Sequence, residues 1–226
     1  MIFQPHAVDD LVYPESDGNS MADNTEQFRW IVTIKENLEI LFAEDPNVFV
    51  AGDLLWYPVK GSLERMAPDV LVAFGRPKGK RGSFKQWEEE NIAPQVVFEI
   101  LSPSNKDRRG VNSLETKFEF YDRYSVEEYY IYDPDDLILA GWLRRGEKLQ
   151  PIPDMQGWGS PRLGIQFKWE VEQILKIFRP DGKQFLTPLE MEERIQNMEA
   201  QLLLTEQRAD RLAERLRSLG VDPDRL

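Results

Sequence analysis

Two short runs in this chain are almost continuously apolar. One spans residues 69–74, "DVLVAF", and the other residues 95–101, "QVVFEIL". A strand with one wet face alternates apolar and polar residues; these runs do not. They are expected to be strands covered on both faces, which requires a sheet with other layers packed on each side. The rest of the chain supplies those layers. Residues 24–44 carry Phe28, Ile31, Ile34, Leu38 and Leu41 at spacings of three and four, the pattern of an amphipathic helix, with Asn24 or Thr25 as its N-cap. A strand-like run, "NVFVAGDLLWYPV", follows and is interrupted at Gly52. A second helix is expected over 112–124 and a strand over 128–133 closed by the turn "DPDD". Shorter strands are expected near 137–144, 147–152, 165–170 and 173–178. This order predicts an α/β fold with a mixed β-sheet flanked by helices.

Three regions are expected. Residues 1–23 form an extended, loosely ordered N-terminal segment, 24–187 a globular domain, and 188–226 a helix with a short tail, ended by Gly220 with Pro223 just beyond. No run is long and apolar enough to span a bilayer, and "MIFQPHAVDD" has neither the basic nor the apolar part of a secretory signal. No membrane partner is expected, and the expected location is the cytoplasm. The absence of cysteine excludes disulfides, thiolate metal sites and a cysteine nucleophile. A single histidine, His6, excludes a multi-histidine metal site.

The net charge of -12 argues against a protein that coats DNA non-specifically. That charge is uneven: residues 1–55 hold 11 acidic and 2 basic side chains, whereas residues 56–187 hold 20 of each.

Within the neutral part, Glu99 sits inside an otherwise apolar strand. An unpaired buried carboxylate costs several kcal/mol, so Glu99 needs a metal, a base or a raised pKa unless the strand end reaches water. Asp69 opens the neighbouring run directly after Pro68. Two acids on adjacent core strands can converge on a hard divalent cation such as Mg2+, with Mn2+ as a substitute. On the second helix, Lys117 falls about 60° from Leu114 and so within the inward apolar stripe with Phe118 and Tyr121. It is either an ammonium aimed at the acids or a lysine snorkelling from the stripe's edge. Two basic stretches, read as loops, follow the acid-bearing strands. Arg76, Lys78, Lys80, Arg81 and Lys85 form the first; Lys106, Arg108 and Arg109 form the second. Such loops could hold a phosphate backbone. Glu39 on the first helix is a further candidate for the site.

Asp69 in "PDV", Glu99 in "FEILSPS" and Lys117 in "ETKFEFYDRYSVEEYYIYDP" together resemble the Uma-two-type family of restriction-endonuclease-like proteins, once a domain of unknown function, within the PD-(D/E)xK nuclease superfamily. The resemblance covers roughly residues 24–180. It implies a restriction-endonuclease-like core, magnesium ions held by Asp69, Glu99 and the Ile100 carbonyl, and hydrolysis of DNA phosphodiesters with Lys117 orienting water or balancing charge. The chain departs from the superfamily pattern where a lysine is expected two residues after the second acid: Leu101 stands there, and Lys117 is the substitute. The acid often found four residues before that lysine is replaced by Ser113. Two other readings are a catalytically silent DNA-binding or scaffold protein of the same fold, and a coiled-coil protein whose globular part only positions a helix.

The C-terminal helix carries Met191, Ile195, Met198, Leu202, Thr205, Ala209, Leu212, Leu216 and Leu219 at alternating spacings of four and three. This heptad predicts a coiled coil and a homodimer. With Ile195 at position a, Arg194 at g faces Glu199 at e of a parallel partner. The alternative is one amphipathic helix packed on its own domain.

Overall fold

The computed structural model describes residues 11–16, 18, 21–106, 108–169, 174–220 and 222; of residues 106 and 108–112 it describes the backbone alone. Among the described residues, helix α1 spans Thr25–Leu41 and begins where the Asn24 side chain accepts the Gln27 N–H at 2.8 Å. Strands β1 (Val48–Gly52), β2 (Trp56–Tyr57), β3 (Val70–Phe74), β4 (Phe84–Lys85) and β5 (Val96–Ile100) follow. Helix α2 (Arg108–Arg123) precedes strands β6 (Glu128–Asp133), β7 (Ile138–Arg145), β8 (Lys148–Pro151), β9 (Gln166–Lys168) and β10 (Lys176–Phe178). Helix α3 (Pro188–Ser218) closes the chain.

Six strands form one mixed sheet in the order β1-β3-β5-β6-β7-β8. Its one parallel pair is β5 with β6, and the remaining pairs are antiparallel. A parallel pair needs a crossover, and α2 supplies it. The alternation of a strand then sorts side chains into two layers. Val70, Val72, Val96 and Phe98 pack with Ile31, Ile34 and Leu38 of α1. Leu71, Ala73 and Val97 pack with Phe120 and Tyr121 of α2, and with Trp56 and Phe84 from a separate pair of parallel strands, β2 and β4. Both apolar runs are therefore covered on both faces, as their composition predicts.

Some boundaries differ from the sequence expectation. Helix α2 starts at Arg108 rather than near residue 112, so Arg108 and Arg109 lie in its first turn and not in a loop. Gly110 costs a helix about 1 kcal/mol relative to alanine, too little to delay the start. The loop of residues 76–85 ends in strand β4. The N-terminal segment is anchored at Tyr13, whose ring meets Tyr57 and Trp87 at 5.2 and 4.8 Å, while Tyr57 donates to the Pro14 carbonyl at 2.7 Å. Two aromatic neighbours outweigh the turn-prone composition around it.

The chain forms two compact units, Met1–Phe185 and Leu186–Leu226. In the second, Thr187 and Glu190 close a capping box at the start of α3 and Pro188 occupies the first turn. No residue of α3 is buried: Ile195, Met198, Leu202 and Leu212 are 51–61% exposed. Among the described residues, no helix is long and apolar enough to cross a membrane.

Candidate active site

The site lies where β3 begins and β5 ends. The antiparallel register pairs Val70 with Phe98, and one more step places Asp69 beside Glu99. Pro68 precedes Asp69 and has no N–H to extend the ladder. The Ile100 peptide instead finds side-chain partners: its N–H donates to Asp69 Oδ2 at 2.6 Å, and its carbonyl accepts Gln27 Nε2 at 2.8 Å.

Alternation along β5 puts Glu99 on the same face as Val97, under α2. There Glu99 is only 2% exposed, and each carboxylate oxygen has a donor from that helix. Lys117 Nζ reaches Oε2 at 2.5 Å and Tyr121 Oη reaches Oε1 at 2.5 Å. Lys117 and Tyr121 are four residues apart and so share one helix face. The structure thus brings Asp69, Glu99 and Lys117 together. Tyr121 is held in place by stacking on Trp56 with the ring planes 4° apart.

The electrostatics follow from burial. Desolvation, and then the charge of Glu99, push the Asp69 carboxyl up to about 8, although the Lys117 ammonium and the Ile100 N–H pull the other way. Burial alone would lower the Lys117 ammonium, but Glu99 and Asp69 outweigh it and hold it above the usual lysine value. Burial and the neighbouring Glu99 carboxylate raise the Tyr121 hydroxyl well above the usual tyrosine value, so it acts as a donor. Asp53 adds a third negative charge felt by both Asp69 and Lys117. Its N–H donates to the Asp69 carbonyl at 3.2 Å, and its φ of 47° marks the bend after β1. That bend is the interruption visible at Gly52, although the sequence reading does not single out Asp53.

Gln27 is the other contributor that sequence reasoning misses. Glu39, the candidate from the same helix, instead pairs with Lys35 at 2.8 Å and is about half exposed.

The two basic stretches lie differently with respect to the site. Strand β3 runs away from Asp69, so the segment after Phe74 starts roughly 16 Å from it. Local partners take up most of its charge. Arg76 pairs with Glu90 at 3.0 Å, Arg81 with Glu89 at 2.5 Å and Lys85 with Glu88 at 3.5 Å. Lys78 Nζ donates to the Phe42 and Ala43 carbonyls at the end of α1. Lys80 is exposed. The acids of "QWEEEN", just downstream, are the sequence signal for these pairings. Strand β5, by contrast, ends at the site, so the segment after it starts there. Ser102 and Ser104 tie that segment to Asp23. The side chains of Lys106, Arg108 and Arg109 lie outside the described residues.

Asp69, Glu99 and the Ile100 carbonyl are hard oxygen donors, and two buried carboxylates face a single ammonium. Among the described residues no group of three or more histidine, cysteine or acidic side chains is placed to hold a metal. Two carboxylates and a carbonyl would be the oxygen donors for an ion here. This fits a magnesium-like ion, which needs few protein ligands and completes its shell with water and phosphate oxygens.

No curated protein matches the sequence. Among solved structures, the chain is similar to a "putative nuclease belonging to DUF820 from Anabaena variabilis ATCC 29413". Identity is 13% and the TM-score 0.46, over 70% of this chain and 89% of that one. The model of the Uma-two family, described as "Putative restriction endonuclease", matches residues 19–208. The match covers most of the chain, both acids, Lys117 and the first part of α3, and the protein belongs to that family.

Proposed function

We propose that the protein is a magnesium-dependent endonuclease that hydrolyses phosphodiester bonds of DNA, with Asp69, Glu99 and Lys117 as its catalytic residues. The observation that carries the reading is the convergence of Asp69 and Glu99 at one end of the sheet with the Lys117 ammonium on Glu99. Asp69, Glu99 and the Ile100 carbonyl would hold Mg2+ or Mn2+. When bound, such an ion neutralises charge on the scissile phosphate and promotes ionisation of the attacking water.

The protein's own groups do the rest. Asp69, with its proton released to water, would serve as one carboxylate ligand. Tyr121 fixes one oxygen of Glu99, so the carboxylate cannot rotate away. Lys117 is long and 21% exposed, so it can turn from Glu99 toward a phosphate oxygen or the attacking water and offset negative charge developing there. Calorimetric titration of Mg2+ and Mn2+ into wild type and Glu99→Ala tests the ligand set. Binding in wild type and its loss in the variant are expected; no binding at millimolar ion in wild type would end this reading.

The family's description and the restriction-type site support DNA as the substrate, and a duplex is most simply cut by two sites. Helix α3 offers the means of pairing. Its a and d positions form a mostly apolar stripe, exposed at Ile195, Met198, Leu202 and Leu212, and Arg194 at g complements Glu199 at e of a parallel partner. The proposed assembly is a homodimer joined through this coil.

A further inference from the structure

The Ile100 peptide is held by two side chains from distant parts of the sequence. Asp69 takes its N–H, and Gln27, 73 residues away, donates to its carbonyl. Gln27 is 7% exposed, and its amide is fixed at both ends: Nε2 donates to Ile100 while Oε1 accepts the Asp23 N–H at 2.8 Å. Asp23 in turn accepts Ser102 Oγ at 2.7 Å and Ser104 Oγ. The start of α1 and the segment after β5 are thereby stitched around one carbonyl oxygen. Burying an amide for a single bond is costly unless both of its ends are satisfied, and here both are. A carbonyl oxygen has two lone pairs, and Gln27 needs only one of them.

We propose that Gln27 is a positioning residue that sets the Ile100 carbonyl as the neutral third oxygen donor beside Asp69 and Glu99. The inference rests on the divalent-cation reading above and adds to it a residue that touches the carbonyl rather than the ion. An amide suits this place. It directs a donor at the carbonyl, fixing the oxygen without adding a further carboxylate to those already near it.

The test is calorimetric titration of Mn2+ into the full-length wild type, Gln27→Met and Gln27→Glu, with thermal unfolding of each metal-free protein alongside. Methionine keeps the length and loses the donor. It is expected to weaken Mn2+ binding about tenfold, the lower end of what loss of a ligand's supporting partner costs. Glutamate brings a carboxylate to the ion's edge and sets it against the carbonyl. It is expected to tighten Mn2+ binding by a similar factor while lowering the metal-free melting temperature. Stability and affinity then move in opposite directions, which a purely structural role would not produce. Should Gln27→Met fail to fold, Gln27→Asn withdraws the amide by one methylene and is expected to weaken binding in the same direction. Affinities for the Met or Asn variant and the Glu variant within twofold of wild type would overturn the role of Gln27 and leave the cation reading standing. A wild type that binds no Mn2+ would overturn both.

Discussion

Lys117 Nζ lies 2.5 Å from Glu99 Oε2, and this one contact joins the crossover helix to the strand that carries the second acid. The Glu99 side chain is 3% exposed and that of Lys117 21%. Breaking a buried pair by removing one partner leaves an uncompensated charge, at a cost of about 3–5 kcal/mol. Lys117→Met is therefore expected to lower the stability of the metal-free protein, toward the low end of that range because the lysine is partly wet. Magnesium, offering Glu99 a new counter-charge, should restore much of the loss. Chemical denaturation with and without Mg2+ checks this. Cleavage should fall by roughly two to three orders of magnitude, the scale of one lost electrostatic stabiliser.

Tyr121→Phe removes the other donor to Glu99 and keeps the ring that stacks on Trp56. Hydrogen bonds to charged groups contribute about 1.5–3 kcal/mol, and the variant should lose about that much stability while remaining folded. Urea midpoints measure the loss. Wild-type stability in the variant would mean that Lys117 alone suffices to hold Glu99.

Asp69 gives the metal-free protein a definite pH dependence. Its carboxyl moves from the ordinary aspartate value of 3.8 to about 8 in the fold, so the native state keeps a proton that the unfolded chain has released. With more protons bound in the native state, stability falls as pH rises through this window and levels off above about 8. The contribution of this group is thus fully present only below about pH 4. Asp69→Asn, which imitates the protonated acid, should flatten that slope and be more stable than wild type at pH 8 without metal. Magnesium must displace the same proton, so wild-type affinity should climb toward pH 8. Unfolding curves and Mg2+ titrations across pH 5–9 check both trends.

Leu202→Glu places a charge in the middle of the α3 stripe, at a position that is 60% exposed within one chain. Burying it in a coil would be strongly unfavourable, whereas on a lone helix it would cost little. Light scattering should show a dimer for wild type and a monomer for the variant, with the melting temperature of the globular unit unchanged. A wild-type monomer at tens of micromolar would remove the coil from the account.

Much of the site was legible because it is local. The near-continuous apolar run around it flags Glu99 as buried, Pro68 marks where β3 must start, and the helical wheel turns Lys117 inward. What was not legible depends on strand direction and on distant contacts. Both basic stretches follow an acid-bearing apolar run in the sequence, but β3 and β5 are antiparallel, so the stretch after β3 starts at the far end of the sheet and the segment after β5 starts at the site. Gln27 reads as an ordinary first-turn residue of α1, and nothing near it in sequence reveals a carbonyl 73 residues away. Glu39, on the same helix, was the more conspicuous candidate as an acid, but its partner is Lys35 on the helix itself.

Nicking of supercoiled plasmid DNA tests the central claim most directly. Wild type, Asp69→Ala and Glu99→Ala would be compared at millimolar Mg2+, at millimolar Mn2+ and with chelator, after confirming that each variant is folded. Wild type should nick and then linearise the plasmid only with a divalent ion, and both variants should fall to the level of the chelated control. A wild type inert with both ions, or variants that cut as fast as wild type, would contradict the assignment of Asp69 and Glu99 to a nuclease site.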